Sequence, residues 1–151
     1  MDAAIDAIIG NILSFFPTYN FLVEIENDSF KNAIALCEKS LKKWPNNIQI
    51  FSLKSLALWY SGNEDQSRIL ALEVVKKQPK DHFTISIIER VLEFMDKFEL
   101  IASLCDNSLK YGYDIRIAEK LFFACLKLQD TKKLYSVRNF HLLECYNYFN
   151  Y

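Results

Sequence analysis

The sequence predicts an all-α fold, an α-solenoid built from about four helix pairs. Three observations predict it. First, the chain of 151 residues is half apolar yet holds only three glycines and three prolines, a composition that suits helices joined by short turns. Second, its apolar residues fall at helical spacing. In NNIQIFSLKSLALWYSGNEDQSRILALEVVKKQPKD, which runs from Asn46 to Asp81, Ile50, Leu53, Ala57 and Tyr60 line one face of a first helix. Ser67, Leu70, Ala71, Val74 and Val75 line a face of a second. Third, the pattern returns at a fixed step. Pro45 and Pro79 stand 34 residues apart, as do the successive polar breaks Asp28, Gly62, Asp96 and Asp130 and the pairs Lys42-Lys43 and Lys76-Lys77. At twice that step Phe30, Ala33, Ile34, Cys37 and Leu41 map onto Phe98, Ile101, Ala102, Cys105 and Leu109.

A helix–turn–helix period of 34 residues is the tetratricopeptide signature. One helix pair of this size cannot bury its own apolar surface, so it stacks on others of its kind. The expected fold is therefore a tetratricopeptide-like α-solenoid. The sequence is a degenerate version: the Trp and Gly of the usual first-helix pattern are missing, and Tyr113 stands where the 34-residue step would put a third proline.

In chain order, residues 1–15 form an N-terminal segment, and the repeats fall at about 16–47, 48–81, 82–115 and 116–151. Ile5, Ile8, Ile9 and Leu13 give residues 2–15 one apolar side. This helix caps the open end of the first repeat; the alternative, an amphipathic helix facing a partner or a membrane, is opposed by its lack of Lys and Arg. Pro17 suits a first-turn position, and FPTYNFLVEI makes a shortened first helix. Phe30 to Lys43 is its partner, stopped by Trp44-Pro45. Gly62 supplies the left-handed residue that closes the next helix, and Pro79 ends the one after it. Ile88, Val91, Leu92 and Met95 pattern a helix of the third repeat, followed by one from Phe98 to about Lys110. Ile117, Leu121, Ala124, Cys125 and Leu128 form a single stripe, and a last helix starts near Lys132. The tail HLLECYNYFNY is aromatic and offers no polar closing helix. It belongs either to a longer array or beneath a partner.

Composition excludes several classes. A formal net charge of −1, from 18 basic and 19 acidic residues, creates no global field toward DNA or an anionic membrane. No 18-residue uncharged apolar run predicts a membrane span. The N-terminus has Asp2 and Asp6 but no basic n-region, so it does not read as a secretory signal. Cys37, Cys105, Cys125 and Cys145 lack metal-ligand spacing, and the place of at least three of them in apolar stripes favours core packing in a reducing, cytoplasmic setting. The two histidines, His82 and His141, lie in different repeats without a zinc or nucleophile motif, and no phosphate-binding glycine loop exists. No catalytic residue and no cofactor is expected. His82, at a helix start, reads as surface.

Candidate partner-binding residues come from the first helices, which line the concave groove of such arrays. Ser52, Leu56, Trp59, Phe83 and Ile87 fall there, with Ser86 and Glu93. The set is too apolar and too poor in cations to clamp a carboxylate, and suits a helix or another subunit. The competing reading makes several of these residues ordinary core between repeats. Lys42, Lys43, Lys76 and Lys77 sit at second-helix ends, as do Lys80 and Lys110. Their ordinary role there is to complement the helix dipole; the functional alternative is a basic ridge meeting ribosomal RNA phosphates.

The run ENDSFKNAIALCEKSLKKWPNNIQIFSLKSLALWYSGNEDQSRILALEVVKKQPKD resembles the N-terminal repeats of the auxiliary subunit of the NatB N-terminal acetyltransferase. Asn27, Ala33-Ile34, Leu41-Lys42-Lys43, Leu53-Lys54, Leu56, Gly62, Glu73-Val74, Pro79 and Asp81 carry the resemblance. Upstream Pro17, Tyr19 and Leu22, and downstream FELIASLCDNSLKYGYD, are similar to that family as well, so that most of residues 15–135 is covered. Members of the family are several times longer, and this chain would correspond to their N-terminal arm. The resemblance implies a non-catalytic subunit that wraps a GNAT-fold catalytic acetyltransferase subunit acting on nascent chains beginning Met-Asp, Met-Glu, Met-Asn or Met-Gln. It also implies help in docking the complex to ribosomes. A generic tetratricopeptide adaptor holding a peptide or helix in an apolar groove is the alternative.

Overall fold

A computed structural model describes residues 29–139. The expected helices of residues 2–15 and of FPTYNFLVEI, the tail, His141 and Cys145 lie outside the described residues. Within them the regular structure is helical: α1 (Phe30–Lys43), α2 (Ile48–Tyr60), α3 (Glu64–Lys76), α4 (His82–Phe94), α5 (Phe98–Leu109) and α6 (Ile115–Lys127). Residues 131–139 are helical too. No helix among them is long and apolar enough to cross a membrane.

The ends of the first helices are set by local chemistry. Asn47 and Asp81 cap α2 and α4 by accepting from the N–H of Ile50 (3.1 Å) and Thr84 (2.9 Å). Asp114 caps α6 by accepting from the N–H of Arg116 at 2.9 Å. Each of these helices then closes with the same paired bonds. The N–H groups of Gly62 and Asn63 donate to the carbonyls of Trp59 and Leu58, those of Asp96 and Lys97 to Glu93 and Leu92, and those of Gln129 and Asp130 to Leu126 and Cys125. Gly62, Asp96 and Gln129 take the left-handed conformation this needs, with φ of 83°, 54° and 55°.

The last closure departs from the 34-residue ruler. The left-handed residue is Gln129, and Asp130, one place later, starts the next helix, its Oδ1 accepting from the Lys133 N–H at 3.0 Å. The missing residue is in α5, which has 12 residues where α3 has 13. Counted back from the caps, Gly112 therefore occupies the place of Pro45 and Pro79. Tyr113 is the residue directly before the Asp114 cap.

By packing, the chain divides into two compact units, Met1–Leu70 and Ala71–Tyr151. In the first, α1 packs on α2. Ala33, Cys37, Ile50, Leu53, Leu56, Ala57 and Leu58 are buried, and the Phe30 and Tyr60 rings stack at 5.4 Å. Ser55 on α2 and Ser67 on α3 are fully buried and clasp reciprocally: the Ser55 hydroxyl donates to the Ser67 carbonyl at 2.9 Å, and the Ser67 hydroxyl to the Ser55 carbonyl at 2.6 Å. Two small side chains at the contact let the helix backbones come this close.

In the second unit α5 packs on α6 and on α4, and α4 touches α6. Its core includes Ile85, Ile88, Val91, Leu92, Ile101, Leu104, Cys105, Leu121 and Cys125. The loop before α4 is tied to α5 by Ser108 Oγ donating to the Lys80 carbonyl (2.9 Å) and Asn107 Nδ2 to Gln78 Oε1 (2.7 Å). Burial pushes the thiols of Cys37 and Cys105 up to about 12 and raises that of Cys125. These three cysteines are core groups, inert as nucleophiles at neutral pH.

Candidate partner interface

Caps and stripes fix how each first helix turns its faces, and so which candidate contact residues meet solvent. Ser52, Leu56 and Ile87 are buried, Ser52 donating to the Gln49 carbonyl at 2.7 Å. Trp59, near the end of α2, and Phe83, near the start of α4, are half-buried. The Arg68 guanidinium lies 5.7 Å from the centre of the Trp59 ring and also pairs with Glu64 at 3.0 Å. Of the five residues, Trp59 and Phe83 thus offer surface that a partner could touch.

The four lysines are exposed. Lys42 and Lys43 occupy the last turn of α1, Lys76 the last turn of α3, and Lys77 follows it. Each stands where the helix carbonyls leave partial negative charge, so dipole complementation is satisfied at every one. Exposure leaves the same side chains able to meet phosphates.

Polar residues that sequence reading passed over link α4 to α6. Glu89 on α4 and Lys120 on α6 form an ion pair whose side chains are only 13% and 21% exposed. Burial raises the Glu89 carboxyl above its ordinary range, and the Lys120 hydrogen bond and charge pull it part of the way back. Nearby, Arg116 grips Asp114 with two bonds of 3.0 and 2.8 Å and holds that carboxyl below its ordinary range. His82, expected at the surface, is half-buried with Nε2 3.2 Å from Ser86 Oγ. Burial, with Arg116 adding to it, lowers its pKa. The arrangement supplies charges for recognition. No group of three or more His, Cys, Asp or Glu among the described residues is placed to hold a metal.

An apolar display on α6 was also missed. Ile115, Phe122, Phe123 and Leu126 of α6 are exposed although the opposite stripe of the helix is buried. The available signal was the run LFFACLKL, in which Phe122 and Phe123 fall off the Ile117–Leu121–Ala124–Cys125–Leu128 line.

Helix pairs with repeated caps and closures, bearing exposed apolar and basic surface, define a helical repeat protein of tetratricopeptide type. Its sequence matches, over residues 16–139, the family described as Psidin, N-terminal TPR repeats region, and the chain belongs to that family. A solved structure described as "Structure of Naa15/Naa10 bound to HypK-THB" shares the fold, with a TM-score of 0.68 at 19% identity. The match covers 85% of this chain and 19% of that one. No curated protein matches the sequence. The all-α tetratricopeptide-like fold expected from the 34-residue period is the observed one.

Proposed function

We propose that the chain is a non-catalytic auxiliary subunit of a NatB-type N-terminal protein acetyltransferase complex in the cytoplasm. It binds the GNAT-fold catalytic subunit as a scaffold and helps place it at the ribosome. The observation that carries this reading is the family match across residues 16–139. The motif resemblance to NatB auxiliary subunits supports it. So does a fold shared with Naa15, whose structure is described together with Naa10. Trp59 and Phe83 are the partner contacts in this reading; Ser52, Leu56 and Ile87, candidates by sequence, are buried. Lys42, Lys43, Lys76 and Lys77 face ribosomal RNA, where phosphate neutralisation makes binding steeply salt-dependent.

The test is an affinity purification from native extract with the chain as bait, followed by an acetylation assay on the eluate. Recovery of a small GNAT acetyltransferase active on peptides beginning Met-Asp or Met-Glu supports the reading. A recovered acetyltransferase that ignores those peptides removes the NatB assignment and keeps the scaffold. Unrelated proteins sharing a short helical motif would establish the general adaptor instead, a role favoured by the partly exposed Trp59 and Phe83 rings.

A further inference from the structure

We propose that the exposed face of α6 is the contact through which two copies of this chain associate. Counted from the caps Asp81 and Asp114, Glu89 of α4 and Phe122 of α6 occupy the same position in their helices. Glu89 faces the next first helix, where it pairs with Lys120. The equivalent face of α6 is therefore one that receives a helix, and it carries Phe122 in place of an acid. Beside it stand Phe123, 64% exposed, and Leu126, 45% exposed; the two phenylalanine rings meet edge to face at 6.1 Å. Apolar area of this kind, grouped on one face, marks an association site.

The choice of occupant rests on self-complementarity. A cavity of about 280 Å³ opens between α6 and residues 131–139, lined by Ala118, Glu119, Phe122, Phe123, Val137 and Arg138. That is many times the roughly 30 Å³ share of one water, room enough for an aromatic ring. One face thus carries both a knob, Phe123, and a hole. It also carries both an acid and a base. Glu119 makes no ion pair among the described residues, and Arg138 makes only a contact with the Tyr135 ring, at 5.1 Å. A two-fold axis satisfies both at once, because an isologous contact sets each patch against its own copy. Phe123 of each copy enters the cavity of the other, and Glu119 of each meets Arg138 of the other. This association does not depend on the acetyltransferase reading.

Sedimentation velocity of the full chain over micromolar to submillimolar concentrations tests it. The expected result is a species of twice the 17.7 kDa chain mass. Phe123→Glu shifts it to the single-chain mass, weakening association by about 30-fold or more, as loss of a central aromatic anchor does. Both Phe123 and Arg138 are exposed, so the variants keep their fold, with circular dichroism as the check. Glu119→Arg and Arg138→Glu each weaken association, and the double reversal restores it. A wild-type chain of single mass throughout the range overturns the proposal. So does a dimer indifferent to Phe123→Glu, or a double reversal no better than either single one.

Discussion

Replacing Lys120 with Met isolates the ion pair that links α4 to α6. The substitution keeps the length and apolar stem of the side chain and deletes its charge. Glu89 then sits with its side chain only 13% exposed and no cation beside it on α6. Losing one partner of a fully buried pair costs about 3–5 kcal/mol, whereas exposed pairs contribute about 0–1 kcal/mol. At the exposures found here the loss is about 2 kcal/mol at neutral pH, a fall in Tm of about 4–8 °C for a chain of this size. The loss must depend on pH. The folded-state pKa of Glu89 is raised above its unfolded value, so the folded chain holds that proton more tightly and stability falls as pH rises through the interval between the two values. Without Lys120 the folded pKa climbs further and the interval extends upward. Thermal melts followed by circular dichroism at neutral and mildly acidic pH measure this. Lys120→Met should be most destabilising at neutral pH and recover part of the loss on acidification. Glu89→Gln in the same chain should remove the pH dependence of the effect. A loss of equal size at both pH values, or none at all, would refute the reasoning.

Other substitutions read the remaining determinants. Gly62→Ala meets no neighbouring atom within 4 Å, so its expected cost of about 1 kcal/mol in urea unfolding is purely that of φ at +83°. Gln129→Gly, which relieves the same strain at the third closure, should raise the midpoint. Ser67→Ala should cost about 1 kcal/mol through the lost bond to the Ser55 carbonyl, and Ser67→Leu about 3 kcal/mol by overpacking the α2–α3 contact, both measured by the same unfolding. Cys37 and Cys105, with thiols near 12, should stay unalkylated in the native chain at neutral pH and react on denaturation, as peptide mass spectrometry would show.

Helix positions were legible because their signals are local. Phe30 to Lys43 is found as read, since an apolar stripe and the Trp44-Pro45 stop lie within one stretch of chain. Gly62 takes the left-handed conformation for the same reason. Register was less legible. One residue fewer in α5 moves the third closure from Asp130 to Gln129 and puts Gly112 where Tyr113 was expected, and a fixed 34-residue ruler cannot show a deletion between two well-patterned segments.

What the sequence determined alone is the all-α repeat and its family resemblance, because the period repeats caps, stripes and breaks together. Tertiary structure decided which candidate contact residues reach solvent. Ser52, Leu56 and Ile87 share a helical spacing with Trp59 and Phe83, yet a first helix packs on more than one side, and only its neighbours determine which row is covered. The Ser55–Ser67 clasp and the Glu89–Lys120 pair were invisible for a related reason. Their partners are 12 and 31 residues apart, and a serine or glutamate bonded across two helices carries the same local pattern as one facing water.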